Sequence, residues 1–189
     1  GINLGKSKLT PLDEAPADYL HSLRNLKTFG DYFVINVSSP NTPGLRELQE
    51  TARLREIIRV LRKEAPEKPL LVKIAPDLAD DQALEVAALA EAEGLAGVIA
   101  TNTTLDHSAI AQARDEQGGL SGAPLRGRAT SLLATLRGSV KLPVIASGGV
   151  MDASAAKEKF DAGADLVQIY TGFVYRGPDL VREIAALDT

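Results

Sequence analysis

The chain contains no cysteine among its 189 residues. Disulfides, thiolate catalysis and cysteine-held zinc or iron–sulfur centres are therefore excluded. Histidine is scarce too: His21 and His107 stand far apart, with no metal-ligand spacing. There is no excess of positive charge. Lys and Arg number 21 against 25 Asp and Glu, a net charge of −4, and the pI is near 5.3. Nucleic-acid binders carry a basic face, so no nucleic-acid partner is expected. No apolar run approaches the roughly 18 residues of a membrane span, and the chain reads as soluble. What is present is ordinary for a globular protein, with 44% hydrophobic and 24% charged residues. A single domain across 1–189 is expected, with no internal repeat, low-complexity segment or dividing linker.

Six short runs read as strands: 2–4, 32–37, 70–74, 97–101, 143–147 and 166–170. They are continuously apolar rather than alternating, which suits strands buried on both faces of a parallel sheet. Helical patterns fill the gaps at 17–29, 48–64, 81–93, 128–136, 153–162 and 179–187. Leu54, Ile57, Ile58 and Leu61 form one apolar stripe, and Asp80 and Asp152 are expected N-caps. This alternation predicts an α/β fold with right-handed crossovers. Both a barrel and an open doubly wound sheet fit it. The polar residues separate the two. Nearly every strand runs into a polar or glycine cluster at its C-terminal end, from Asn3 through Asn36–Ser39 to Thr171 and Gly172. Barrel enzymes gather active-site groups from many strand ends, whereas an open sheet concentrates them at one switch point. A (β/α)8 TIM-type barrel is the better reading. Eight units need about 250 residues; about six of the eight strand–helix units are legible here. The chain is thus expected to be the C-terminal portion of a barrel whose N-terminal units are missing.

Four constellations carry chemistry. "VIASGGV" and "AGADLVQIYTGF" place glycines after the last two strands, where barrels bind phosphate. Flavin mononucleotide (FMN) and phosphorylated sugars both use such loops; glycine turns without a ligand are the plain alternative. Lys73 in "LLVKIAPD" sits in an apolar strand, which is costly unless the amine is paired or functional. It would serve a reduced flavin anion, a Schiff base or a phosphate, or else it reaches out to water. Thr101, Asn102 and Thr103 offer donors and acceptors without a titratable group, suited to a planar polar ligand or to capping a strand. The long loop 105–124 follows, with Gly118–Gly119 and Gly122; the charges of "HSAIAQARDEQ", His107 included, read as solvated surface. Lastly, "NVSSPNTPGLR" (residues 36–46) crowds small polar groups after a strand. It holds no carboxylate, histidine or cysteine, so any base there is an activated hydroxyl. An ordinary turn is the competing reading.

Taken in order, "GINLGKSK", "INVSSPNTPGLR", "VKIAPDL", "GVIATNTT", "GGLSGAPL", "IASGGV" and "LVQIYTGFVYRGP" resemble the C-terminal part of the class 2, quinone-dependent dihydroorotate dehydrogenases, over essentially the whole chain. The resemblance implies an FMN-containing barrel that oxidises dihydroorotate to orotate in pyrimidine biosynthesis, with ubiquinone or menaquinone reoxidising the flavin. It implies Ser39, not Ser38, as the catalytic base, since class 1 enzymes have cysteine at that position, and Thr42 as the group through which the serine sheds its proton. Asn36, Asn41, Asn102 and Thr103 match substrate contacts. Asn3, Asn36, Lys73, Thr101, Gly122, Gly149, Tyr170, Thr171 and Gly172 match FMN contacts. The resemblance further implies a parent protein peripheral on the cytoplasmic side of the inner membrane, touching it through an N-terminal segment that this chain lacks. A non-catalytic, associating piece of such a barrel and another phosphate-binding barrel enzyme, an FMN reductase or aldolase, are the alternatives.

Overall fold

The computed structural model describes residues 1–111 and 115–187. Strands and helices alternate through them: β1 (Ile2–Leu4), α1 (Ala15–Leu26), β2 (Phe33–Asn36), α2 (Thr51–Glu64), β3 (Leu70–Ile74), α3 (Asp80–Ala92), β4 (Gly97–Ala100), α4 (Arg126–Arg137), β5 (Val144–Ser147), α5 (Ala153–Asp161), β6 (Leu166–Gln168), α6 (Thr171–Arg176) and α7 (Pro178–Ala185). All six strands form one parallel sheet in the order β1-β2-β3-β4-β5-β6. A doubly wound sheet must reverse its strand order at a switch point, and this one never does. It is the arrangement of a (β/α)8 TIM-type barrel, with six consecutive strand–helix units.

Side chains alternate between the two faces of each strand. Phe33, Ile35, Leu70, Val72, Ile74, Val98 and Val144 face the helices. They share one core with Leu54, Ile57, Ile58 and Leu61, the predicted stripe of α2. Burying each such side chain contributes about 1.5–3 kcal/mol. The opposite face carries a second, small cluster of Val34, Leu71 and Ile99, with Ile145 packed against it. The register sets Val34 beside Leu71 and Ile99 beside Ile145. Two residues further along the same face stand Asn36, Lys73, Thr101 and Ser147. The apolar layer is thus the floor beneath a polar one, which is why the strands read as unbroken apolar runs that end abruptly.

The structure departs from the sequence pattern in three places. The strands are shorter than their apolar runs: β2 starts at Phe33 and β6 stops at Gln168, because the chain then turns into α6, a helix that no amphipathic period announces. Asp80 is the first residue of α3 rather than its N-cap. Its carboxylate meets Arg128 at 2.7 Å, and Gln82 Oε1 accepts the N–H of Ala79 at 3.2 Å. Asp152 does cap α5, accepting from Ala155 N–H at 2.7 Å. The third is Lys159, which is completely buried in α5. Burial pushes its amine down to about 8, and it donates to the carbonyl of Arg126 at 3.1 Å and to Thr130 Oγ1 at 2.5 Å. This brace fixes the start of α4.

Candidate active site

The C-terminal ends of the strands surround a cavity of about 420 Å³. Among the described residues its wall carries one cation, Lys73, and no carboxylate. Lys73 lies beside Asn36 in the ladder. Lys73 is partly buried, and desolvation holds its amine below the usual lysine range, with no compensating partner among the described residues. A buried cation without a counter-charge is an open position for an anion or an electron-rich edge.

Two glycine-containing turns form the far wall. Gly122, Gly148 and Gly149 have φ of 80°, 111° and 77°, a region that side chains other than glycine's rarely enter. Gly149 is constrained twice, because a Cβ there would strike the backbone of Arg126 at the start of α4. Among the described residues, the N–H groups of Gly149 and Val150 donate to no other protein group. Such free N–H groups in a glycine turn suit an anion with several acceptor oxygens. Thr171 and Tyr170 border the same wall; the Tyr170 ring is largely exposed. Gly172 is buried just behind it, pressed against the carbonyl of Val150. Ser121 Oγ lies 2.8 Å from Thr171 Oγ1 and ties the loop after β4 to α6. Sequence reasoning passed over Ser121, although it stands within the "GGLSG" run.

The near wall is a hydrogen-bonded cluster of small polar groups. A cis peptide bond joins Ala100 to Thr101. Thr101 is buried and gives its hydroxyl proton to the carbonyl of Asn102 at 2.9 Å, which leaves its lone pairs for a donor. Asn102 directs its Nδ2 to Asn36 Oδ1 at 3.2 Å and to Ser38 Oγ at 3.0 Å, while its Oδ1 accepts the N–H of Thr103 at 2.9 Å. Asn36 therefore has its oxygen filled, and its own N–H groups engage no described residue. Asn3 and Thr103 line the cavity directly.

The two adjacent serines differ sharply. Ser38 is completely buried, with its hydroxyl donating to Asn36 Oδ1 at 3.1 Å while it accepts from Asn102. Ser39 is half-buried, and among the described residues its Oγ only accepts, from the N–H of Asn41 at 3.3 Å. The Ser39 proton is uncommitted; the Ser38 proton is not. Asn36, Ser39, Asn41 and Gly172 lie outside the cavity wall proper, although Asn36 touches it through Asn102. Asn41 is exposed at the tip of its loop, where Gly118 approaches its Oδ1.

One surface expectation needs correction. His107 is mostly covered, at 20% side-chain exposure, and is held by Asp115 Oδ1 at 2.5 Å and the carbonyl of Gly118 at 2.9 Å. Both partners are acceptors, so both bonds form together only when the ring is doubly protonated. The bond to Asp115 is the main cause that raises the imidazole above its ordinary range. Residues 112–114 of the same charged stretch lie outside the described residues.

A family model described as dihydroorotate dehydrogenase matches residues 1–187. The chain belongs to the dihydroorotate dehydrogenase family. Family members named dihydroorotate dehydrogenase (quinone) are closely similar. The one from Synechococcus elongatus is 52% identical over 196 residues, covering 97% of this chain and 52% of its own. That from Salinispora arenicola is 53% identical over 188 residues, covering 96% and 55%. A crystal structure of DHODH from Eimeria tenella in complex with ferulenol matches with a TM-score of 0.90 at 36% identity, covering 97% of this chain and 55% of that one. The chain spans about half the length of the relatives it matches.

Proposed function

We propose that the protein oxidises dihydroorotate to orotate with bound FMN and passes the electrons to a quinone, ubiquinone or menaquinone, in pyrimidine biosynthesis. The observation that carries this reading is a single cavity with a partly buried lysine, unpartnered among the described residues, on one side and a glycine turn with free N–H groups on the other. A flat anionic group with a phosphate tail matches both ends. Family membership weighs against the aldolase and other FMN-reductase alternatives.

The residues present fit FMN. Gly122, Gly149, Tyr170, Thr171 and Gly172 would hold its phosphate end, and Lys73, Thr101, Asn3 and Asn36 its ring. FMN, when bound, supplies the acceptor for two electrons and one hydrogen from the substrate. Lys73 places positive charge where such an acceptor gains negative charge, a preorganised stabilisation that needs no rearrangement. Asn36, Asn41, Asn102 and Thr103 orient the substrate's ring and carboxylate. Asn36 is well prepared for this, because its occupied oxygen turns its amide N–H groups toward acceptors. Ser39 Oγ takes the substrate's other hydrogen as a proton, after releasing its own by way of Thr42. A hydroxyl is a weak base at neutral pH, so this release is part of the barrier. The geometry favours Ser39 over Ser38, whose proton already serves Asn36.

The described residues hold no helix long and apolar enough to cross a membrane. The quinone and membrane contacts are proposed for the full-length protein, peripheral at the cytoplasmic side of the inner membrane. The test is anaerobic rapid mixing of the full-length, FMN-loaded protein with dihydroorotate. Flavin absorbance should bleach as orotate appears. Ser39→Ala should slow the bleaching by about 10²–10⁴-fold and leave the bound-flavin spectrum intact. Absence of bleaching in the unaltered protein would falsify the proposal; bleaching at an unaltered rate in Ser39→Ala would remove Ser39 as the base.

A further inference from the structure

The Arg46 guanidinium binds groups from three separate loops. Its Nε donates to the carbonyl of Ser38 at 3.1 Å, its Nη2 to the carbonyl of Thr103 at 2.8 Å, and its Nη1 to Asp77 Oδ2 at 2.5 Å. These acceptors follow β2, β4 and β3 respectively. Asp77 in turn accepts from the Thr104 hydroxyl and from the N–H of Leu105 at 3.2 Å. The pair is largely shielded, with side-chain exposures of 20% and 30%, so solvent screening is reduced.

The two carbonyls belong to consequential peptide planes. The Ser38 carbonyl lies in the plane that leads into Ser39, and the Thr103 carbonyl in the plane that leaves Thr103. Fixing a peptide plane fixes the adjoining Cα and leaves its Cα–Cβ bond one dihedral of freedom. One rigid, planar cation therefore restrains the backbone entering the proposed base against the loops after β3 and β4. A lysine could neutralise Asp77, but its single ammonium lacks the fork needed to hold both carbonyls in one plane.

We propose that Arg46, anchored by Asp77 and the Thr103 carbonyl, is a positioning residue that holds Ser39 in place for proton removal from the substrate. This rests on the reading of Ser39 as the base. Misplacement of a reacting group by about 1 Å costs on the order of 10²-fold in rate, while contacts that only bind substrate are left in place.

The test uses the full-length, FMN-loaded protein carrying Arg46→Lys, Asp77→Asn, Ser39→Ala and the double change Ser39→Ala with Arg46→Lys. For Arg46→Lys, flavin content and orotate affinity should stay within about 3-fold, while the limiting rate of flavin reduction falls by about 10–100-fold. Asp77→Asn should give a smaller loss of the same kind, and it decides the matter if Arg46→Lys does not fold. The double variant should be no slower than Ser39→Ala alone, since a group acting through Ser39 has nothing to position once the hydroxyl is gone. An unchanged reduction rate in a folded Arg46→Lys protein, or losses that multiply fully in the double variant, overturns the positioning role with the base assignment intact. A Ser39→Ala protein at full rate sinks the base assignment instead, so the two failures are distinguishable.

Discussion

A buried amine with no counter-charge destabilises the protein that holds it. Lys73, partly buried and without a partner among the described residues, approaches this case. Its folded-state titration is pushed down by burial, so the fold disfavours the charged form. The cost is fully present below the folded pKa and is relieved as pH rises through it toward the ordinary lysine value. Lys73→Met should therefore raise the Tm of the flavin-free protein at pH 7 by roughly 2–4 °C, the change that about 1 kcal/mol produces at this size. The gain should shrink toward pH 10. The same change should weaken FMN binding measurably. Paired calorimetric scans and flavin titrations check both arms; a fall in Tm at pH 7 would mean that the amine is stabilised by a partner. The conflict is informative in itself, because a residue retained against stability is serving the cavity.

At the scale of elements, the loop between β4 and α4 is pinned over the proposed substrate groups. Gly119 lies so close to the Thr103 hydroxyl and to Pro40 that a Cβ there would clash with both. His107 holds this loop through Asp115 and the Gly118 carbonyl, with Asp106 adding further negative charge nearby. A raised imidazole pKa means that the tether is fully present below about pH 6.5 and is lost as pH rises through the folded value. Amide exchange at residues 118–120, corrected for its intrinsic pH dependence, should accelerate between pH 6 and pH 9. His107→Gln should abolish that pH dependence. Exchange that is flat with pH in the unaltered protein contradicts the tether. The sequence pattern disclosed the loop but neither its His107 tether nor the Arg46 contacts, and for one reason. Their partners are main-chain carbonyls and a carboxylate brought near by folding, and a main-chain acceptor leaves no mark on residue identity. What was legible obeyed local rules: the α2 stripe, the Asp152 cap and the apolar strands ending at Asn36, Thr101 and Ser147. Helix α6 escaped because six residues of "TGFVYR" are too few to show a period.

At the scale of the whole molecule, the outer edges of β1 and β6 pair with no strand among the described residues. Leu166 on β6 is 61% exposed, and Val181 and Ile184 line the same apolar groove. Unpaired edges flanked by apolar side chains promote association. The 189-residue chain produced alone should therefore sediment as dimers or larger species at micromolar concentration, and Leu166→Lys should shift it toward monomer. A monomer at all concentrations would mean that these edges are protected in some other way. The barrel class itself was readable from the way polar clusters recur at one strand end after another. The count of units was readable too, because each strand brings its own helix.

The sequential strand order has a genealogical consequence. Since each strand pairs only with its predecessor and its successor, the units form an open series with no strand threaded between earlier ones. A gene encoding such a series can be cut and spliced at any boundary between units without tangling the product. Recombination could thus join partial barrels of different ancestry, and the junction would have to satisfy only two neighbouring strands.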